Sequence, residues 1–118
     1  MGKSFLKAIQ NARLEDSGFH YTLSLINGKY KMVILYPLSL FGVARFNELQ
    51  RFIGTISYKT LSSTLKELEA DQLVLRTEYP QVPPKVEYRL TARGESLMPM
   101  FNELCEWGEK NRLPQKSE

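Results

Sequence analysis

The chain has 118 residues, of which 42% are hydrophobic and 25% charged, and it carries a formal net charge of +3. This excludes a disordered or fibrous chain and fits one domain able to bury a core without staples. The single cysteine, Cys105, excludes an intrachain disulfide framework.

The first residues, MGKSFLKAIQNARLEDS, contain no apolar signal core and have Leu6 where myristoylation requires Ser or Thr. Phe5, Ile9 and Ala12 recur at helical spacing and predict a short amphipathic helix ending near residues 15–18. Residues 21–26 predict one or two further helical turns, stopped at Asn27-Gly28. Residues 29–40 are apolar and of helical length, with Pro37 expected to kink or shorten the helix. The longest apolar run, MVILYPLSLFGVA, is too short to span a bilayer. The expectation is a cytoplasmic protein with no membrane partner.

Gly42 breaks the chain. Residues 45–53 place Phe46, Leu49 and Ile53 on one helical face, and Gly54 ends that helix. Ser57 is the N-cap of the next helix, which runs to about Asp71 with Leu61, Leu65 and Leu68 as its apolar stripe. Residues 73–79 and 85–90 read as strands, the second alternating Val86, Tyr88 and Leu90 with Lys85, Glu87 and Arg89. Three prolines between them, in PQVPP, demand a turn. Thr91 caps a final helix over residues 92–111, where Pro99 marks either a kink or a late start. No internal repeat is visible.

Two short helices around a glycine, followed by a hairpin, make a winged helix-turn-helix: mainly α with a small β-hairpin wing. The second helix, over residues 57–71, divides in composition. Its first half offers Lys59, Thr60, Ser62, Ser63 and Thr64, and its acids begin only at Glu67. A helix entering the major groove needs close approach by its N-terminal half. Small hydroxyls permit that approach and bond bases and phosphates, whereas acids would be repelled. The charge distribution agrees. Residues 1–93 carry 13 basic against 8 acidic side chains, and residues 94–118 carry 3 against 5, consistent with one basic face.

The segments GKYKMVILYPL, ARFNELQRFIGTISYKTLSSTLKELEADQLVLR, YPQVPPKVEYRLTARGESLMP and LCEWG, in this order and spacing, resemble the HxlR family of bacterial winged helix-turn-helix regulators, which is related to the MarR type. The resemblance covers most of the chain. The length implies a single domain over residues 1–118, and the resemblance places the DNA-binding unit at about 17–112. The resemblance also implies a homodimer that binds double-stranded DNA as a transcriptional regulator, expected to be a repressor, and the two-fold symmetry of such a dimer implies a palindromic operator. Carried onto this sequence, the resemblance places Arg45 at the start of the first motif helix and Ser57, Tyr58, Lys59, Thr60 and Ser63 on the recognition helix. Lys85 falls at the wing, with Arg76 and Arg89 flanking it. The alternative is a winged-helix protein-interaction module without DNA binding.

The final helix carries Leu97, Met98, Met100, Phe101, Leu104, Cys105 and Trp107, too much apolar surface for one narrow stripe. We therefore expect dimerisation through the N- and C-terminal helices, by Phe5, Ile9, Leu97, Met100, Phe101, Leu104 and Trp107. Many members of the family sense oxidants or electrophiles through a cysteine near the N-terminus. Ser17 stands at that place here, so the resemblance does not carry thiol sensing over. A small-molecule or redox effector is left unidentified. Cys105 reads as an inert core residue, with a reactive or dimer-bridging thiol as the sharper alternative. The lone His20 cannot build a metal site with one cysteine, and no catalytic motif is present. No cofactor and no enzyme activity are expected. Glu67 and Asp71 read as a solvated helix face.

Overall fold

In a computed structural model, residues 12–115 are described. The expected helix through Phe5 and Ile9 lies outside them, and Ala12 is exposed and non-helical. After a 3-10 turn at Leu14–Asp16 the elements are α1 (Gly18–Ile26), α2 (Lys31–Phe41), β1 (Val43–Ala44), α3 (Phe46–Ile53), α4 (Tyr58–Ala70), β2 (Val74–Tyr79), β3 (Lys85–Leu90), α5 (Ala92–Glu95) and α6 (Met98–Asn111).

Helix α2 is the hub. It packs against α1, α3, α4, β1 and β3, and its Ile34, Leu35 and Leu38 are at most 1% exposed. Pro37 neither ends nor shortens it. The proline removes one donor, toward the Val33 carbonyl, but Val33 faces solvent and the Pro37 ring is buried in the core. Against α2 lie Leu61, Leu65 and Leu68 of α4, together with Leu49 of α3 and Leu73 at the start of the wing. Thr64 belongs to this buried stripe, not to the hydroxyl face on which the sequence reading put it. It stands three residues after Leu61 and four before Leu68, which is the inward side of the helix.

The sheet has the order β1-β3-β2, all antiparallel. The sequence reading missed β1, whose two residues pair Val43 with Arg89 and Ala44 with Tyr88. The final helix is two helices. The chain turns at Ser96–Leu97, and Pro99 occupies the first turn of α6, so a late start is what the structure adopts.

Two backbone features fix α4. Gly54 takes φ +82° and donates its N–H to the Gln50 carbonyl at 2.9 Å, ending α3. At the other end Gln72 takes φ +60°. The Leu73 N–H bonds the Leu68 carbonyl at 3.0 Å, and the Gln72 N–H bonds the Glu69 carbonyl at 2.9 Å. This is a Schellman closure with glutamine where glycine is usual. Gly94 of α5 lies so close to this corner that a Cβ would stand 2.2 Å from the Leu73 carbonyl oxygen. Gly94→Ala is therefore expected to destabilise the fold by about 1–3 kcal/mol, measured by urea titration with the slope unchanged.

Candidate nucleic-acid interface

The turn between α3 and α4 is held from both sides. Gln50 Nε2 donates to the Ile56 carbonyl at 3.3 Å, and Tyr30 Oη reaches the Thr55 carbonyl at 3.4 Å. Ser57 caps α4: its Oγ accepts the Thr60 N–H at 3.1 Å and lies 3.0 Å from Thr60 Oγ1. The Ser63 hydroxyl donates to the Thr60 carbonyl at 3.1 Å. The three hydroxyls are thus already engaged with their own helix. Each keeps lone pairs for a further partner, but Ser57 serves first as a cap.

With the leucines turned inward, α4 presents Tyr58, Lys59, Ser63 and Lys66 outward, all exposed. Tyr58 stacks at a tilt on Phe46, with ring centroids 4.7 Å apart, and remains 69% exposed. Lys59, Ser63 and Lys66 follow at i, i+4 and i+7 and form one stripe. Lys66 lies outside the set of residues expected from the sequence to meet DNA. Its seven-residue spacing from Lys59 was the signal that could have included it. Glu67, the first acid of the helix, lies 3.5 Å from Lys31 of α2 and pairs with it. Asp71 is the C-cap residue of α4.

Arg45 precedes α3 as its N-cap, with its backbone N–H donating to Glu48 Oε1 at 2.8 Å and the residue exposed. The wing separates the three basic residues that the sequence reading grouped. The register Tyr79 with Lys85, Thr77 with Glu87 and Leu75 with Arg89 puts Lys85 and Arg89 on one face. Arg76 pairs with Tyr88 and shares the other, core-side face with Val74 and Leu90. Strand alternation is the cause. Lys85 Nζ sits 3.4 Å from Glu87 and 5.1 Å from the Tyr79 ring centroid, while Arg76 lies 3.8 Å from Glu78. Partial burial pushes the Glu87 carboxyl up. Hydrogen bonds from Tyr79 and Lys85, with the charges of Lys85 and Arg89, outweigh it and hold the carboxyl below its ordinary range.

The terminal helix corrects two expectations. Phe101 is 3% exposed and belongs to the domain's own core, because it lies on the side of α6 that faces the core. Leu97 and Met100 are half-buried against the same core. Leu104 and Trp107 are the open positions, at 53% and 68% exposure. Cys105 is exposed, not a core residue. It lines an apolar groove of about 420 Å³ between α2, α3 and α6, beside Met32, Val33, Tyr36 and Phe52. The Tyr36 phenol, a donor toward Cys105, is pushed above its ordinary value by that bond, with charge and burial adding to it. Ser17 is the N-cap of α1, accepting the His20 N–H at 3.1 Å and donating to the Leu14 carbonyl at 2.6 Å. Among the described residues no group of three metal-ligating side chains comes together, and no helix is long and apolar enough to cross a membrane.

The family model for HxlR-like helix-turn-helix proteins matches residues 25–116. The chain belongs to the HxlR family. An HTH-type transcriptional regulator of Halalkalibacterium halodurans is 65% identical over 99 residues, covering 84% of this chain and 88% of that one. The HTH-type transcriptional regulator YdzF of Bacillus subtilis is 49% identical over 96 residues, covering 81% and 88%. Among solved structures, the redox regulator HypR in its oxidized form matches with a TM-score of 0.76 and 44% identity, covering 83% of this chain and all of that one. This HxlR protein is accordingly a DNA-binding transcriptional regulator with a winged helix-turn-helix.

Two outcomes are expected from the geometry of this HxlR domain. Replacing Lys59 or Lys66 with alanine should reduce the slope of log affinity against log salt by about 1 if the side chain meets a phosphate. A base contact should instead cost about 1–3 kcal/mol in affinity. Glu87 stabilises the wing while it is ionised. That contribution is present at neutral pH and is lost as pH falls through its depressed pKa, below the usual glutamate range. Acid titration of wild type against Glu87→Gln, followed by amide exchange in β2 and β3, should show this loss in the wild type alone.

Proposed function

We propose that the protein is a homodimeric repressor that reads a palindromic operator with α4 and steadies itself on the backbone with the wing. The carrying observation is the outward stripe of Tyr58, Lys59, Ser63 and Lys66 on a helix whose inner face is locked by leucines. Lys59 and Lys66 supply charge, and Ser57, Thr60 and Ser63 permit close approach to base edges. Arg45 stands at the entry to α3 for a phosphate, and Lys85 and Arg89 for the DNA beside the groove. Arg76, on the opposite wing face, is the weakest member of the set.

The dimer is supported by uncovered apolar surface. Leu104 and Trp107 on α6 join Val33, Tyr36 and Leu40 on the outer side of α2, all exposed, and the groove at Cys105 lies between these helices. A second copy would bury this surface, joined by Phe5 and Ile9 of the N-terminal segment. Two α4 helices roughly 34 Å apart would then meet successive turns of DNA. Repression would follow from occupancy of the promoter in the cytoplasm. A small-molecule or redox signal would release it by favouring a dimer state with the wrong spacing. A redox signal would have to act through Cys105, the only thiol of the sequence.

The deciding experiment mixes the purified protein with sheared genomic DNA of its source and sequences what is retained at about 150 mM salt, where non-specific phosphate binding is weak. A few promoter fragments sharing an inverted repeat are expected. No enrichment from a verified dimer, with and without reductant, would favour the interaction-module reading. In the same assay Leu104→Glu and Trp107→Glu should yield monomers by light scattering and lose at least tenfold in operator affinity.

A further inference from the structure

The corner after α4 is clasped by the segment that leads from the wing into α6. The Thr91 N–H donates to the Leu73 carbonyl at 3.0 Å, and its hydroxyl donates to the Gln72 carbonyl at 2.7 Å. Arg93 Nε donates to the Asp71 carbonyl at 3.1 Å, at the end of α4. Arg93 Nη2 donates to Tyr21 Oη of α1 at 2.6 Å, with the guanidinium 5.8 Å from the Tyr21 ring centroid. Below this bridge a cleft of about 450 Å³ separates α1 from the end of α4. Among the described residues, no other side-chain hydrogen bond or ion pair joins α1 to α4.

We infer that Arg93 is a positioning residue for DNA recognition, setting the angle of α4 relative to α1 and α6 and so the half-site spacing that the dimer accepts. The inference rests on the dimeric operator reading above. A guanidinium suits the task because its planar fork holds two donors in fixed directions, one toward each element. An ammonium on a flexible stem cannot fix both at once. Its charge also sits at the C-terminal end of α4, where the helix dipole favours a cation. Leverage makes the site consequential. Helix α4 has 13 residues, so its groove-facing end lies about 20 Å from the clasp. A pivot of roughly 5° there moves that end by about 1.7 Å, close to half a base-pair step. Gly94 keeps the clasp tight by letting α5 approach the Leu73 carbonyl.

The test uses the operator recovered from genomic DNA, rebuilt with spacers of every length within three base pairs of the natural one. Wild type, Arg93→Ala, Arg93→Lys and Tyr21→Phe each select from this pool. Light scattering and far-ultraviolet dichroism check that each is a folded dimer. The expectation is that wild type favours one spacing. Arg93→Ala and Tyr21→Phe should accept neighbouring spacings at least threefold more readily, with the salt slope unchanged, and Arg93→Lys should fall between. A merely structural role would lower the melting temperature without widening the spacing preference. A preference as narrow as wild type in both Arg93→Ala and Tyr21→Phe would overturn the inference and leave the regulator reading intact. If Arg93→Ala fails to fold, Tyr21→Phe decides alone, since it deletes one hydroxyl from an exposed side chain. A wild type that selects no operator would overturn the dimeric reading, and this inference with it, before any variant is compared.

Discussion

The structure depends on the leucine stripe of α4. Leu61, Leu65 and Leu68 are each at most 1% exposed, seated against Ile34, Leu35 and Leu38 of α2. Burying one such side chain contributes about 1.5–3 kcal/mol, so the stripe outweighs any single polar contact nearby. It also fixes rotation. A helix held by positions four and seven residues apart has one orientation, and the outward residues follow from it: Tyr58, Lys59, Ser63 and Lys66. The core face and the face proposed to meet DNA thus lie opposite one another on the same helix. The N-cap Ser57 and the closure at Asp71 and Gln72 fix its length, and the side chains of Gln50 and Tyr30 fix the turn before it.

Elements with strong local signals were legible in the sequence. The bounds of α4 followed from a capping serine and a leucine period, β3 from strict alternation, and the breaks at Gly42 and Gly54 from glycine at positive φ. Thr64 and Lys66 escaped although helical spacing alone places them; the rest of what escaped depends on contacts distant in sequence. Strand β1 has two residues, too few for a period, and exists because β3 offers it an edge. Gln72 adopts the left-handed region without being glycine, because Leu73 must return into the core. At the candidate site, α4 was readable because helical spacing decides its faces. The wing was less so, since Arg76 and Arg89 differ in face only once the register is known. Phe101 and Cys105 exchanged their expected places for the same reason. Its own apolar residues identified the terminal helix, but only packing shows which of its sides the domain covers.

Two of the basic residues proposed to face DNA are already paired within the wing. Lys85 rests on Glu87 and Tyr79, and Arg76 on Glu78 and Tyr88. Exposed pairs of this kind are worth about 0–1 kcal/mol. A phosphate can therefore displace a carboxylate at little cost, while in its absence the acids hold the side chains in place. A net charge of only +3 then suffices for a DNA-binding protein, because the field is local and the pairing exchangeable. The arrangement also limits unspecific attraction to nucleic acid.

The sole tryptophan of the sequence, Trp107, lies on the uncovered side of α6, away from the leucine core. Its emission therefore reports on whatever covers that helix and is nearly blind to the packing of Leu61, Leu65 and Leu68. The molecule carries two separable optical signals: backbone dichroism for the domain and indole fluorescence for the outer side of α6. Their denaturation curves coincide only if uncovering that side and melting the core are a single event.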